Sequence, residues 1–319
     1  MLTLDLVIVT YNRLEKLKKT LQHYIAQTHA FRNLIIVNNC STDGTKEYLD
    51  EWKRKTEPLF NKIIIHTKEN IGGSGGFYLG QKMAMELKAD WVFVADDDAY
   101  ADPTMVERFY GFIELHDTSK IAAVRAKVLN TDGSICLYHR DRHSIVDGEY
   151  KRESAQIEEY GKEYFSIDVL SYVGSFLNAK ALEKQGLVNP KYFIYFDDTE
   201  HSMRLKKYGD IVVVPCIEIW HEGGAESSKV DNVLSWRKFY YLRNITHVLL
   251  KYYPKVGLMR IWNLFKAEIF IILHRENVDE KYLLYRKALF CALFGILGKD
   301  KKYMPGWTAN IKNKRTVNG

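Results

Sequence analysis

Short apolar runs alternate with helical periodicity through the first 130 residues of this 319-residue chain, and that alternation restricts the fold more than any other feature. Residues 4–9, 34–37, 62–66 and 91–95 are runs rich in Val, Ile, Leu and Phe, as expected of strands buried on both faces. Between the first two runs, Leu14, Leu17, Leu21 and Ile25 recur on one helical face. A turn at 41–44 opens a second helix through Trp52, and a glycine-rich loop at 70–76 leads into a third through Leu87. Such an order predicts an α/β domain: a Rossmann-like, mostly parallel sheet with helices on both faces. Ligands of such sheets bind beyond the carboxyl ends of the strands.

From about residue 121 the pattern is mixed. Residues 122–129 read as a strand, 130–134 as a turn, and the polar stretch 139–163 as a surface excursion. A strand holding Gly174 is expected over 168–178, a short helix over 199–208, and a strand over 211–219 interrupted by Pro215. From 232 onward the chain is helical, aromatic and basic, so the expected division is a ligand-binding domain over 1–231 and a C-terminal helical region over 232–319.

Charge sharpens that division. Residues 237–319 hold 17 Lys and Arg against 5 Asp and Glu, which leaves 29 against 35 for residues 1–236. An acidic body with a basic tail points to an anionic partner for the tail, a membrane surface or a nucleic acid. No nucleic-acid-binding motif is visible and the tail is strongly apolar, so a nucleic acid is not expected. The longest uncharged apolar run, 288–298, is too short for a bilayer, which needs about 20 residues. Interfacial amphipathic helices on anionic lipid are the expectation, with a core docked on the main domain or a homo-oligomer contact as the alternative. Cys40, Cys136, Cys216 and Cys291 form no disulfide or zinc pattern. The first residues read directly as a strand, with no basic and apolar leader before them. A cytoplasmic location, peripheral on the cytoplasmic face of the inner membrane, is therefore expected.

Four segments carry chemistry. Asp96, Asp97 and Asp98 follow the strand 91–95, and three adjacent carboxylates repel unless a cation joins them. Oxygen-rich clusters suit Mg2+ or Mn2+ together with a diphosphate, while the competing reading is a solvated acidic turn. Asp197, Asp198 and Glu200 open the helix at 199–208; Asp197 and Glu200 have the spacing of a capping box, which leaves Asp198 over as a candidate general base. Asn70 precedes Gly72, Gly73, Gly75 and Gly76, which allow backbone to approach a ligand or simply make a turn. Trp220 and His221 end the strand 211–219, and an imidazole there is either a ligand for a Mn2+-class ion or a surface residue.

Taken together and in this order, the segments resemble the family 2 glycosyltransferases of the GT-A fold over about residues 4–225. Thr10, Asn12 and Arg13 fall on that family's first nucleotide-contacting loop, and Val37 through Thr45 on its V-D-D/N-x-S-x-D-G-T segment, with Asn38 where Asp is common. An Asn carbonyl still accepts from the imide N–H of uracil. Asp96 and Asp98 match the metal-binding D-x-D, and Asp198, with Arg204 downstream, matches the acid that serves as base. The glycine segment, the triple Asp and Trp220-His221 are most similar to the galactofuranosyltransferases, in which a histidine at this position completes the metal site; residues 239–244 also occur in related rhamnosyltransferases.

The resemblance implies a metal-dependent, inverting transfer of a sugar, galactofuranose, from a UDP-linked donor to a glycan or lipid-linked glycan of a surface polysaccharide. Asp96, Asp98 and His221 would hold Mn2+ or Mg2+. Thr10, Asn12, Arg13, Asn38, Asn70, Gly72, Gly73, Asp96 and Asp97 would meet the donor, Asp198 would be the base, and Asp197, Glu200, Gly174 and Trp220 would face the acceptor. A rhamnosyltransferase using dTDP-rhamnose is the alternative. A sugar nucleotidyltransferase would carry a glycine-rich basic loop after the first strand, where this chain has Thr10 through Glu15 and no glycine.

Overall fold

The computed structural model describes residues 2–55, 59–137, 141–146, 149–223, 234–274 and 278–309. Its first part runs β1 (Leu4–Thr10), α1 (Leu14–Ile25), β2 (Asn33–Asn38), α2 (Thr45–Arg54), β3 (Asn61–His66), α3 (Gly72–Glu86), β4 (Trp91–Asp96), β5 (Ala99–Ala101), α4 (Met105–Leu115) and β6 (Ile121–Leu129). A hairpin, β7 (Asp141–Val146) and β8 (Glu149–Ser154), precedes β9 (Phe165–Ile167), β10 (Ser175–Asn178), α5 (Ala179–Gln185), α6 (Asp197–Leu205) and β11 (Asp210–His221). The tail is α7 (Trp236–Tyr252), α8 (Pro254–His274) and α9 (Leu283–Leu293).

Nine strands form one sheet in the order β3-β2-β1-β4-β10-β6-β11-β5, with β9 also on β11. The β1, β2, β3 and β4 pairings are parallel, as the strand–helix alternation predicts. Because β6 and β11 also pair parallel and β10 inserts antiparallel between β4 and β6, six of the nine strands run one way and only β5, β9 and β10 run against them, a mixed sheet that is mostly parallel as expected. Two cores cover its faces, one with Leu17, Leu21 and Phe109, the other with Phe77, Ala84 and Leu182.

Several boundaries shift. The glycine segment is not a loop but the first turns of α3. A Cβ on Gly76 or Gly80 would meet Val9 or Val7 of β1 at 2.4 and 2.2 Å, so these glycines let the helix lie close on the strand. The surface excursion contains the β7–β8 hairpin, and Pro215 leaves β11 continuous across a register shift between Val214 and Glu218. The expected domain boundary at 231/232 lies outside the described residues.

The tail helices are packed against the body. Phe239, Tyr240, Leu284 and Tyr303 form one cluster with Phe193, and Ile245, Val248 and Leu249 form another with Tyr192 and Phe196. This is the docked helical core that the sequence left as an alternative. Outward from it, α8 presents Leu258, Trp262, Phe265, Phe270 and Leu273, exposed by 60, 56, 46, 53 and 73%. Among the described residues no helix is long and apolar enough to cross a membrane.

Candidate active site

Strand pairing assembles the acidic cluster. Asp96 ends β4, and β5, three residues on, pairs antiparallel with the end of β11 so that His221 lies opposite Ala99. The Glu222 N–H donates to the Asp98 carbonyl at 3.2 Å. One ligand atom from each of Asp96, Asp98 and His221 falls within 4.8 Å of the others. Asp98 Oδ1 is buried and accepts no well-aligned hydrogen bond among the described residues; His221 Nε2 stands 3.2 Å away. Two carboxylates, an imidazole and an orphaned buried oxygen fit a Mn2+ or Mg2+ ion.

Electrostatics around the cluster are opposed. Burial, then the neighbouring Asp98, hold the Asp96 carboxyl above its usual range. Burial also raises Asp98, but His221, Arg13 and Lys16 outweigh it and leave that group below the usual range. Asp97 is pushed up to about 6, burial outweighing Arg13 and a hydrogen bond of 2.7 Å from Thr10 Oγ1. Arg13 reaches Asp97 at 3.2 Å and Asp98 at 3.0 Å, and Lys16 reaches Asp98 at 3.2 Å. Lys16 is a member of the site that the motifs did not pick out; its spacing of three from Arg13 on one helix edge was the available signal.

The expected donor-side residues gather at the carboxyl ends of β1 and β2. Asn12 is left-handed at φ 53° and its Oδ1 accepts from the Thr42 N–H at 2.7 Å. Asn38 is buried; its Oδ1 accepts from the Ser41 N–H at 3.0 Å, which leaves one lone pair. Asn39, not singled out in the sequence, ties the two halves together: its Nδ2 donates to Asn70 Oδ1 and the Gly72 carbonyl at 3.1 and 3.0 Å. Gly72 has φ 79°, and a Cβ there would meet the Phe193 carbonyl oxygen at 2.1 Å, so its glycine serves contact with the 193–196 segment. Around Gly73 the space is open.

The second acidic group begins α6. The helix does not start from a capping box: its N-cap is Phe196, left-handed at φ 62°. Phe193 and Tyr195 are also at positive φ, 69° and 65°. Ile194 N–H donates to the Tyr192 carbonyl at 2.9 Å, a tight and strained turn for residues with side chains. What holds it is α7. Asn244 Nδ2 donates to the carbonyls of Tyr192, Ile194 and Tyr195 at 3.0, 2.8 and 2.9 Å, and Arg243 to Tyr192 at 2.9 Å. Both Arg243 and Asn244 are buried, and nothing in the local sequence pattern marks them as a clamp.

Asp198 is half-buried, and its Oδ1 accepts from the Thr199 N–H at 2.6 Å. Burial raises its carboxyl above the ordinary range against the pull of Arg152 on β8 and the buried Arg125. Its charge is in turn one of those that raise Asp96, so the two acids, 102 positions apart in sequence, lie within electrostatic reach of each other. Asp197 is buried against Ser74 of α3 and is pushed up to about 7, by burial and then by Asp198.

Two expected acceptor residues have other duties. Glu200 is buried and fully engaged: it accepts from Arg204 Nε at 3.0 Å, Lys251 Nζ at 2.9 Å and Tyr252 OH at 2.7 Å, a strut between α6 and α7. Gly174 lies in the bend just before β10, so the strand expected over 168–178 begins only at Ser175; at φ 71° a Cβ there would meet Ile219 at 3.0 Å and Ala126 at 3.4 Å. Packing, not room for a sugar, accounts for it. Trp220 is half-buried on β11 beside His221.

Comparison with known proteins places the chain in a family. Residues 5–186 match the family profile described as Glycosyl transferase family 2. The galactofuranosyltransferase GlfT1 of Mycobacterium tuberculosis H37Rv is 29% identical over 206 residues, which are 64% of this chain and 64% of that relative. The chain thus spans somewhat less than two thirds of the relative's length. Among solved structures, TarS of S. aureus in complex with UDP-GlcNAc superposes with a TM-score of 0.54 at 15% identity, over 78% of this chain and 67% of that one. The mannosyltransferase PcManGT of Pyrobaculum calidifontis, in complex with GDP-Man and Mn2+, superposes with a TM-score of 0.56 at 13% identity, over 92% and 86%. At such identity these structures establish the shared fold.

Proposed function

Since the chain belongs to glycosyl transferase family 2, we propose that it is an inverting sugar transferase that moves galactofuranose from its UDP-linked donor to a lipid-linked glycan. The observation that supports this reading is the cation-fitting group of Asp96, Asp98 and His221, with the raised, half-buried carboxylate of Asp198 within electrostatic reach of Asp96. Galactofuranose is favoured by the likeness to GlfT1.

Asp96, Asp98 and His221 would hold Mn2+ or Mg2+, which when bound neutralises charge developing on the leaving nucleoside diphosphate. Arg13 and Lys16, at the rim of the cluster, add positive charge toward the same phosphates. Asn38, with its free lone pair, and Asn12 lie where the base and ribose would rest. On the other side, Asp198 accepts the proton of the acceptor hydroxyl as its oxygen bonds to the anomeric carbon and the sugar–phosphate bond breaks, the electron pair leaving with UDP. A raised pKa suits that role, because a stronger base takes the proton further in the transition state. The buried Asp197, on Ser74, fixes the start of α6 beneath it.

The solvent-facing apolar stripe of α8 and the basic residues beside it, Lys255, Lys266 and Arg286, support a position on an anionic membrane surface at the cytoplasmic face. A panel of sugar nucleotides assayed for UDP release, with and without Mn2+, tests the reading. UDP-galactofuranose turned over only with the ion supports it, and no release from any UDP-sugar in the presence of a lipid-linked glycan acceptor removes it.

A further inference from the structure

The hairpin that brings Arg152 toward Asp198 also closes a second cavity. Between the start of β8 and helices α7 and α8 lies a half-open space of about 290 Å³, walled by Ile245, Leu249, Val256 and Met259, with Arg260 and Asn263 as the polar groups of the helical wall. This is near the lower end of small-molecule pockets, roughly 300–1,000 Å³. Tyr150 and Glu149 form the hairpin wall.

Arg260 is the unusual feature. Its Nε donates to Thr246 Oγ1 at 3.2 Å, and among the described residues no carboxylate pairs with it. Burial lowers its pKa, and the groups that act in the other direction are the hydroxyls of Tyr241 and Tyr285. A guanidinium set among apolar side chains without a carboxylate is costly unless an anion joins it. Its two terminal NH2 groups form a fork that matches two oxygens of one phosphate. An apolar wall around such a fork suits an anion with a hydrocarbon chain.

Position in the fold narrows the choice. Tyr150 and Arg152 alternate on β8 and so share a face about 7 Å apart. Arg152 acts on the base, Asp198, while Tyr150 lines the cavity. In the other direction α8 leads outward to the exposed Leu258, Trp262 and Phe265. The cavity therefore lies between the acceptor side of the cleft and the apolar outer face. A bilayer phospholipid would have no reason to sit beside the base; the anchor of the acceptor would.

We propose that this cavity seats the phosphate and the first hydrocarbon units of the acceptor's lipid anchor, with Arg260 and Asn263 on the phosphate oxygens. This rests on the lipid-linked acceptor reading above. The chemistry recognised is a prenyl- or alkyl-phosphate, its remaining chain running along the α8 stripe.

The test is calorimetric binding of farnesyl phosphate to the full chain, with no sugar donor present. Farnesol and inorganic phosphate are the partial ligands, and phosphatidylglycerol vesicles the membrane control. Farnesyl phosphate is expected to bind at least tenfold more tightly than either partial ligand. Arg260→Gln should weaken it at least tenfold, and so should Met259→Trp, which fills the cavity and keeps the charge. UDP affinity, read in every variant, reports whether the catalytic body is folded. Equal affinity for farnesyl phosphate in wild type, Arg260→Gln and Met259→Trp overturns the site, as does farnesol binding as tightly as its phosphate. Phosphatidylglycerol binding that Arg260→Gln and Met259→Trp weaken as much as they weaken farnesyl phosphate binding assigns the cavity to bilayer lipid and also overturns it. No sugar is transferred in this assay, so its failure is distinguishable from failure of the transferase reading, which is decided by UDP release.

Discussion

Replacing Asn244 by Ala should uncouple Asp198, the proposed base, from the fold while leaving the proposed donor side intact. The Asn244 amide has two N–H groups shared among the carbonyls of Tyr192, Ile194 and Tyr195, all within 3.0 Å. At about 0.5–1.5 kcal/mol net per hydrogen bond, their loss removes roughly 1–3 kcal/mol. These bonds hold three residues with side chains, Phe193, Tyr195 and Phe196, at positive φ, a backbone that costs on the order of 1–3 kcal/mol per residue and persists only when its surroundings enforce it. Part of that strain relaxes once the clamp is gone, so Asp198, two residues on, shifts. A displacement of about 1 Å at a reacting group costs on the order of 100-fold in rate. The expected variant melts lower by roughly 2–12 °C, taking about 2–4 °C per kcal/mol. It binds UDP within about twofold of wild type and loses 10- to 100-fold in kcat, on the order of the displacement cost. Melting by differential scanning fluorimetry, UDP titration and steady-state kinetics below the lowered Tm provide the three readings. A lowered Tm with unchanged kcat would refute the reasoning, because the strained turn would then be aimed without α7.

Other consequences are open to direct measurement. Asp197 is held at about 7, so the native state keeps a proton that the unfolded chain releases near pH 4, and its contribution to stability falls as pH rises between those values. Asp197→Asn should therefore raise Tm relative to wild type at pH 8 and lose that advantage at pH 4; an offset independent of pH contradicts the burial argument. Mn2+ at about 100 times its Kd should stabilise the wild type by roughly 2.7 kcal/mol, read as a rise in Tm, and His221→Gln should abolish most of that rise. Trp262→Glu with Phe265→Glu removes two exposed large apolar groups, each worth roughly 1.5–3 kcal/mol when buried, so flotation with anionic liposomes should fall at least tenfold. Undiminished flotation would move the membrane contact elsewhere.

Much of the donor half of the fold was legible because local pattern and tertiary role coincide there. The runs at 4–9 and 34–37 are apolar because both faces of β1 and β2 are buried, and the triple Asp sits at the end of β4 as strand–turn logic requires. His221 joins the cluster through a pairing, His221 with Ala99, that no local signal encodes. The glycines of α3 misled for a physical reason. Glycine permits close approach of backbone to anything, and here the neighbours are Val7, Val9 and the Phe193 carbonyl. Glu200 likewise has the spacing of a capping box, yet it is taken by Arg204 one turn on in α6 and by Lys251 and Tyr252 of α7, and the left-handed Phe196 leaves no geometry for the local bond. The Arg243–Asn244 clamp depends on contacts about 50 residues away in sequence, beyond the reach of periodicity.

The central claim is that Asp198 takes the acceptor proton in the same cleft as the cation cluster. Asp198→Asn keeps the shape of the side chain and removes its basicity. With UDP-galactofuranose, Mn2+ and a lipid-linked acceptor, kcat should fall by about 100-fold or more with donor affinity unchanged, as loss of a general base predicts. Turnover within a few-fold of wild type would contradict the claim.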